Sequence, residues 1–161
     1  MEAVSSRTIT VEVNGVQYER EVEARKLLIH FVRDDLDLTG SHIGCDTGNC
    51  GACSMIVDGQ LVKSCMLLAV QVDGAAIETV EGLAEDGELT ALQQSFSDHH
   101  ALQCGYCTPG MLMSATALLR SNAHPSEGEI RRAIQGNICR CTGYWNIVKA
   151  IKAASGQEVG E

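Results

Sequence analysis

The cysteine spacing in the first half of the chain is the feature that most constrains its fold. Three cysteines fall close together as Cys45-x4-Cys50-x2-Cys53, and Cys65 follows after eleven intervening residues. This spacing is typical of four thiolates that hold a [2Fe–2S] cluster. Four glycines within residues 40–52 let the backbone turn tightly and bring N–H groups near the sulfurs. We therefore expect an iron–sulfur cluster in this segment.

Two other kinds of site also use four cysteines, namely structural zinc and a pair of disulfide bonds. Structural zinc sites usually have cysteine pairs two to four residues apart, often together with histidine. His42 is the only histidine within this segment. The spacing favours iron–sulfur over both alternatives, which stay open at this point.

A second group of four cysteines lies in the other half of the chain, as Cys104-x2-Cys107 and Cys139-x-Cys141. Paired cysteines are common in zinc sites, although a Cys-x-Cys pair is unusual for tetrahedral zinc. Both pairs border predicted helix N-termini, where the positive end of the helix dipole stabilises thiolates. Spacing alone leaves both iron–sulfur and zinc open for this group.

Composition and charge exclude several classes of protein. Eight cysteines in 161 residues are fewer than a small disulfide scaffold carries, and a net charge of −9 argues against binding nucleic acid. The sequence has neither a secretory signal pattern nor an apolar stretch long enough to span a membrane. We therefore expect a cytoplasmic protein whose thiols stay reduced and serve metal binding.

The first half of the chain reads as strands with one helix. Asn14-Gly15 and Asp58-Gly59 predict two tight hairpin turns. Apolar residues at near-helical spacing predict a helix within residues 25–36. The pattern favours an α+β unit with its helix on one sheet face. The predicted strands are residues 8–13, 16–22, 55–57, 61–62 and 75–80.

The second half has helical periodicity and predicts a small four-helix bundle. Thr108 followed by proline is a helix start, and Thr142 is a candidate N-cap for the last helix. Ser126 and Glu129 form a predicted capping box. We place the two domains at residues 1–80 and 81–161, with a polar linker over 81–88 and a loose tail over 155–161. The predicted helices cover residues 89–96, 111–120, the segment behind residue 129, and the segment around residues 147–151.

Three motifs in one order carry a family resemblance. They are Gly-Cys-Asp-Thr-Gly-Asn-Cys-Gly-Ala-Cys at 44–53, Gln-Cys-Gly-Tyr-Cys-Thr-Pro-Gly-Met at 103–111, and Gly-Asn-Ile-Cys-Arg-Cys-Thr-Gly-Tyr at 136–144. Together they resemble the small iron–sulfur subunit of the molybdenum hydroxylases, the xanthine dehydrogenase superfamily. The likeness covers most of residues 7–153.

The resemblance implies an α+β chain with an N-terminal β-grasp, plant-ferredoxin-like domain followed by a C-terminal four-helix bundle. Each domain is expected to hold one [2Fe–2S] cluster. Gln103 and Cys141 are expected to contact the pterin of a partner subunit, while no residue of this chain is expected to act on substrate. The implied iron ligands are Cys45, Cys50, Cys53, Cys65, Cys104, Cys107, Cys139 and Cys141.

The resemblance also implies partners and further cofactors. Electrons would run from molybdopterin cytosine dinucleotide with molybdenum, on a large subunit, through both clusters to FAD on a medium subunit. A dimer of such heterotrimers is expected. Within it, this chain would be the iron–sulfur subunit of an oxidoreductase complex.

Within the superfamily, residues 27–33, 38–47 and 62–65 look most like the small subunit of aerobic molybdenum–copper carbon monoxide dehydrogenase. Carbon monoxide oxidation is therefore the expected activity, and copper would then accompany molybdenum. The alternative is the small subunit of an aldehyde, purine or N-heterocycle dehydrogenase. A free-standing ferredoxin-like carrier and a zinc- or disulfide-stabilised interaction module are the remaining readings.

Overall fold

Two hairpins and a short return strand build a five-stranded mixed sheet in the first half of the chain. The structure, a computed structural model, describes residues 5–84 and 86–159. The strand order is β2-β1-β5-β3-β4, with β5 parallel to β1 and antiparallel to β3. The strands are β1 Ser6–Val13, β2 Val16–Glu23, β3 Ser54–Val57, β4 Gln60–Lys63 and β5 Ala76–Glu78.

Both predicted hairpins are confirmed. Asn14 and Gly15 have φ of 51° and 79°, and Asp58 and Gly59 have φ of 48° and 78°. Positive φ at both central residues matches the right-handed twist of the flanking strands, which is why Asn-Gly and Asp-Gly are favoured there. The turns fix the register of β1 against β2 and of β3 against β4.

The helix predicted within residues 25–36 is shorter than expected. Leu27 stays extended and forms an isolated β-bridge with Leu68, so helical structure begins only at α1, Leu28–His30. The chain then continues as a π-helical turn over Phe31–Asp35. The apolar residues of this segment are buried against one face of the sheet, as the spacing predicted.

Four helices form the second half, in agreement with the predicted bundle. Ser126 and Glu129 form the predicted capping box at the start of α4, with Ser126 Oγ and N–H both bonded to the Glu129 carboxylate. Thr90 and Gln93 make the same reciprocal arrangement at α2. The helices are α2 Ala91–Asp98, α3 Thr108–Ser121, α4 Glu127–Ile134 and α5 Trp145–Ala154.

Two predicted caps are wrong. Thr108 lies inside α3 rather than before it, because Cys107 is the N-cap, and the Thr108 hydroxyl has no hydrogen-bond partner among the described residues. Thr142 does not cap α5, whose N-cap is Tyr144 with φ of 68°. The Thr142 hydroxyl lies instead 3.0 Å from Cys139 Sγ. In both places the turn that positions a cysteine displaces the ordinary cap.

The hydrophobic core has two parts that share one strand. The first lies between the sheet and the α1 segment, and the second lies among the four helices. Strand β3 is buried on both faces, since Met55 belongs to the first core and Ile56 to the second. The domain boundary at residue 80 stays a prediction. Leu83, just after it, packs in the second core.

The C-terminal end packs on the bundle further than expected. Gln157 Nε2 donates to the Pro125 carbonyl at 2.9 Å, and the Ser155 carbonyl accepts from His124 Nδ1 at 3.1 Å. The tail predicted over 155–161 is therefore wrong for its first residues, and its last two lie outside the described residues. No helix of the described part is both long and apolar enough to cross a bilayer.

Candidate metal centres

The first predicted group of cysteines meets beside the sheet. Cys45 and Cys50 lie on the loop that precedes β3, Cys53 directly precedes that strand, and Cys65 follows β4. The Cys45 sulfur accepts backbone N–H groups from Thr47 at 3.4 Å and from Cys50 at 3.3 Å. The thiols of Cys45 and Cys50 lie beside each other. Those of Cys53 and Cys65 form a second pair.

These thiols differ in how readily they ionise. Hydrogen bonds from the Thr47 hydroxyl and from the backbone N–H groups of Cys50 and Thr47 lower the pKa of Cys45 to about 6. Burial, together with the bond to Cys53, raises the pKa of Cys65 to about 11. A metal binds the thiolate and removes the thiol proton even where burial opposes ionisation. Buried thiols of this kind fit a site that brings its own positive charge.

The second predicted group meets at one end of the bundle. Cys104 and Cys107 lie on the loop before α3, and Cys139 and Cys141 lie on the loop between α4 and α5. Thiols pair across the two loops, Cys104 with Cys141 and Cys107 with Cys139. All four line a cavity of about 230 Å³ that Cys50 of the first group also borders.

Burial and hydrogen bonds also divide the second group. Burial, followed by the bond to Cys139, raises the pKa of Cys107 to about 12. Burial also acts to raise the pKa of Cys139, but bonds from the Thr142 hydroxyl and backbone N–H groups outweigh it and lower that pKa. The backbone N–H of Tyr106 leads the groups that lower the pKa of Cys104, which is exposed. One thiol of each pair therefore ionises more readily than its partner.

The donor set suits a two-iron group better than a single ion. The eight thiols lie in four adjacent pairs. A [2Fe–2S] cluster takes two thiolates on each iron, whereas tetrahedral zinc gathers its ligands about one point. The paired arrangement fits the expected clusters.

Backbone hydrogen bonds tie the two cysteine loops together. The Ile138 N–H donates to the Cys50 carbonyl at 2.8 Å, and Asn137 Nδ2 donates to the Gly51 carbonyl at 3.0 Å. Asn137 is itself held by Ser114 Oγ at 2.8 Å and is almost fully buried. The loop that carries Cys139 is thus fixed against the loop that carries Cys50.

Two glycines make this close approach possible. Gly51 has φ of 72°, and a methyl group there would collide with the Gly136 carbonyl and the Asn137 side chain. A methyl group on Gly110 of α3 would collide with the Gly51 carbonyl. Any larger residue would therefore push the bundle away from the first cysteine loop.

A histidine and a tyrosine clamp the first cysteine loop to the loop that carries Cys104 and Cys107. The Tyr106 hydroxyl donates to the Ile43 carbonyl at 2.7 Å, and His42 Nδ1 donates to the Tyr106 carbonyl at 2.8 Å. The two rings stack with centroids 4.6 Å apart. Sequence reasoning missed this pair, and the position of Tyr106 between two cysteines was the only available hint.

The cysteine end of the bundle presents the predicted pterin contacts to solvent. Gln103 and Cys141 are both exposed. Large apolar side chains are exposed in the same loops and at the start of α5, with Leu102 at 41%, Ile138 at 56% and Trp145 at 55% exposure. Exposed apolar groups around a thiol site are typical of a surface that another protein covers.

Comparisons with known proteins agree with this geometry. The model of the 2Fe-2S iron-sulfur cluster binding domain matches residues 11–90, and that of the [2Fe-2S] binding domain matches residues 79–152. The chain is 53% identical to caffeine dehydrogenase subunit gamma from Pseudomonas sp. (strain CBB1), covering 94% of this chain and 93% of that one. It is 52% identical to the nicotine 6-hydroxylase small subunit of Paenarthrobacter nicotinovorans, covering 92% and 90%.

Solved structures match the whole fold. A chain of quinoline 2-oxidoreductase from Pseudomonas putida 86 superposes with a TM-score of 0.91 at 46% identity, covering 94% of both chains. Aldehyde oxidoreductase from Desulfovibrio gigas superposes with a TM-score of 0.89 at 40% identity, covering 93% of this chain and 17% of that longer one. The α+β fold with two iron–sulfur domains is thereby confirmed, and the chain belongs to the small iron–sulfur subunits of the molybdenum hydroxylase superfamily.

Proposed function

We propose that this chain relays electrons from a molybdopterin site on a large subunit, through its two [2Fe–2S] clusters, to FAD on a medium subunit. The observation that carries the proposal is that the eight thiols form two neighbouring groups of four, each made of two adjacent pairs. Cys45, Cys50, Cys53 and Cys65 would hold the ferredoxin-like cluster. The bundle cluster would be held by Cys104, Cys107, Cys139 and Cys141.

Each cluster, when bound, takes up and releases a single electron. The chain's part is to hold the negative charge that results. Each oxidised cluster with four thiolates carries a formal charge of about −2, in a chain whose own charge is −9. Backbone N–H groups on Cys45 Sγ and the Thr142 hydroxyl beside Cys139 Sγ supply positive partial charge where it is needed.

The hydrogen bond from the Ile138 N–H to the Cys50 carbonyl supplies the short connection between the two ligand sets. Cys50 belongs to the first set, and Ile138 directly precedes Cys139 of the second. Electron transfer between centres falls steeply with separation, so a rigid direct contact between the ligand-bearing loops favours it. Asn137 keeps that contact fixed, and the His42–Tyr106 clamp ties the first cysteine loop to the loop of Cys104 and Cys107.

The exposed cysteine end supports docking onto the large subunit. Gln103 and Cys141 lie there, together with exposed Leu102 and Ile138. We propose that Gln103 and Cys141 contact the pterin of molybdopterin cytosine dinucleotide. In the same proposal the medium FAD subunit covers the ferredoxin-like loop, and two heterotrimers form a dimer.

The substrate is proposed from the relatives, since the pocket lies on another chain. Caffeine, nicotine and quinoline, which name three of the matched proteins, are all nitrogen heterocycles. These relatives favour an N-heterocycle dehydrogenase over the carbon monoxide dehydrogenase that residues 27–33, 38–47 and 62–65 suggested. The aldehyde oxidoreductases among the matches are less similar, at about 40% identity.

Purification of the complex with its native partners tests the proposal. We expect about four irons and four labile sulfides in each copy of this chain, and two distinct EPR signals on reduction. Reduction of the clusters by a nitrogen heterocycle, but not by carbon monoxide, would support the proposed substrate class. A colourless chain that contains zinc would overturn the electron-transfer role.

A further inference from the structure

Lys63 places a positive charge against the loop that carries Cys45 and Cys50 and near the loop that leads to Cys139. It ends β4, two residues before Cys65, and its ammonium donates to the Gly48 carbonyl at 2.6 Å. Gly48 lies between Cys45 and Cys50. The same ammonium lies 3.5 Å from where a Cβ on Gly136 would be, in the loop that leads to Cys139.

The contact with Gly48 connects Lys63 to the sulfurs. Gly48 lies in the turn between Cys45 and Cys50, so the ammonium that its carbonyl accepts is held on the loop that carries two of the expected ligand sulfurs. Lys63 is half-buried and makes no ion pair with a carboxylate within residues 5–84 and 86–159. Its charge is therefore not neutralised locally, and partial burial leaves it less screened by salt than a surface lysine.

We propose that Lys63 is a positioning residue that raises the reduction potential of the ferredoxin-like cluster more than that of the bundle cluster. This inference rests on the proposed function. An added electron makes a cluster more negative, and a nearby fixed cation stabilises the reduced form over the oxidised form. The ammonium bonds directly to the ferredoxin-like loop but only borders the bundle loop, so the first cluster gains more.

The consequence is a direction for electron flow. In a chain of net charge −9, both clusters accept an electron against the surrounding negative charge. The Lys63 cation lowers that cost mainly at the cluster farther from the pterin contacts. Electrons that enter at the bundle end are thereby drawn toward the ferredoxin-like end.

The test is an EPR-monitored redox titration of the purified complex carrying Lys63→Gln, Lys63→Met or Lys63→Arg. Glutamine keeps a hydrogen-bond donor without the charge, methionine keeps neither, and arginine keeps both. We expect the glutamine and methionine variants to shift the ferredoxin-like potential to more negative values, with a smaller shift at the bundle cluster. The equilibrium constant for electron transfer between the clusters should fall about tenfold, which is about 59 mV for a one-electron couple.

Two controls make the result specific. Lys63→Arg should keep the native potentials, and Lys152→Met removes a lysine two turns along α5 from the cysteine end and should change neither potential. A glutamine variant with native potentials would overturn the inference, because the charge would then have no role. If the methionine variant fails to assemble the cluster, the glutamine and arginine variants still test whether the charge of Lys63 sets the potential.

The proposed function and this inference fail in different ways. Unchanged potentials in a complex that contains both clusters overturn the role of Lys63 and leave electron transfer intact. A wild-type complex without iron–sulfur signals overturns both together.

Discussion

At the scale of single residues, the thiols differ in how many hydrogen-bond donors surround them and in how deeply they are buried, and these two factors set their pKa values. Cys45 ionises easily, with a pKa lowered to about 6 by the Thr47 hydroxyl and nearby N–H groups. Cys107 is at the other extreme, with burial raising its pKa to about 12. Cys141 is exposed at the rim of the bundle cavity. Loss of an exposed ligand is easier for the fold to tolerate than loss of a buried one, because no cavity is left behind.

Cys141→Ser is therefore the ligand change best suited to separate the two sites. We expect the bundle cluster to be lost or altered while the ferredoxin-like cluster still assembles, since the first group has its own four thiols. Iron content should fall from about four to about two per chain, and one of the two EPR signals should remain. The matched control is Cys65→Ser, which should remove the other signal. Loss of both signals in either variant would mean that the sites do not assemble independently.

The cysteine spacing predicted which thiols lie near one another, while their role as iron ligands stays a prediction. Each predicted group of four cysteines is brought together, because short spacing and glycines restrict the loop locally. The caps at Thr108 and Thr142 were wrong because the cysteine turns compete with ordinary capping. His42 and Tyr106 could not be predicted as a pair, since 63 residues separate them and only the docking of sheet and bundle brings them into contact.

At the scale of elements, helix α3 and the first cysteine loop meet without room for a side chain. Gly110→Ala places a methyl group against the Gly51 carbonyl, which is backbone and cannot rotate away. We expect a loss of about 1–3 kcal/mol in the free energy of unfolding, measured by urea denaturation. The matched control is Gly128→Ala in α4, where the nearest atom is 3.6 Å away on a flexible arginine. That change should stabilise by about 0.5–1 kcal/mol, and equal effects in the two variants would contradict the close contact.

An ion pair between β5 and α3 makes the packing of the sheet against the bundle depend on pH. Arg120 donates two hydrogen bonds of 2.7 Å to the Glu78 carboxylate, and these lower the pKa of Glu78. A lowered folded-state pKa means that the stabilisation is present above the unfolded pKa and is lost as pH falls through the folded value. Both side chains are partly exposed, so the pair contributes at most about 1 kcal/mol.

Urea unfolding of the wild type and of Glu78→Gln measures that contribution. The wild type should be the more stable of the two at about pH 7. The difference should begin to shrink as pH falls below the ordinary glutamate pKa of about 4.3 and disappear below the lowered folded value. Glu127→Gln is the control, because Glu127 pairs with Arg131 inside α4 and does not join the sheet to the bundle. An advantage for the wild type that persists unchanged in acid would show that the charge on Glu78 is not its source.

Elements with strong local signals were predictable, and elements shaped by distant contacts were not. The two hairpins follow from Asn-Gly and Asp-Gly, whose preference for positive φ is a property of a few residues. The start of α1 depends on the bridge from Leu27 to Leu68, which lies outside any local window. The same holds for β3, whose second buried face is created by the bundle.

At the scale of the whole molecule, the clusters would also serve as structural ties. Their proposed ligands come from the segments on both sides of β3 and from two loops of the bundle, and the folded chain holds these sites ready while the unfolded chain does not. We expect the metal-free chain to unfold about 10 °C or more below the iron-loaded chain in differential scanning calorimetry. Reconstitution with iron and sulfide should restore the higher temperature. An identical transition with and without iron would contradict this role.

Strand β3, buried between two cores, has a consequence for how the halves of the chain stay together. Met55 packs toward the first core and Ile56 toward the second, while Gly87 and Glu88 lie exposed in the connection between the halves. Proteolysis between those two residues would cut the covalent link without opening either core. The two fragments should therefore co-purify as a nicked pair, and two separately expressed halves should complement one another when they are mixed.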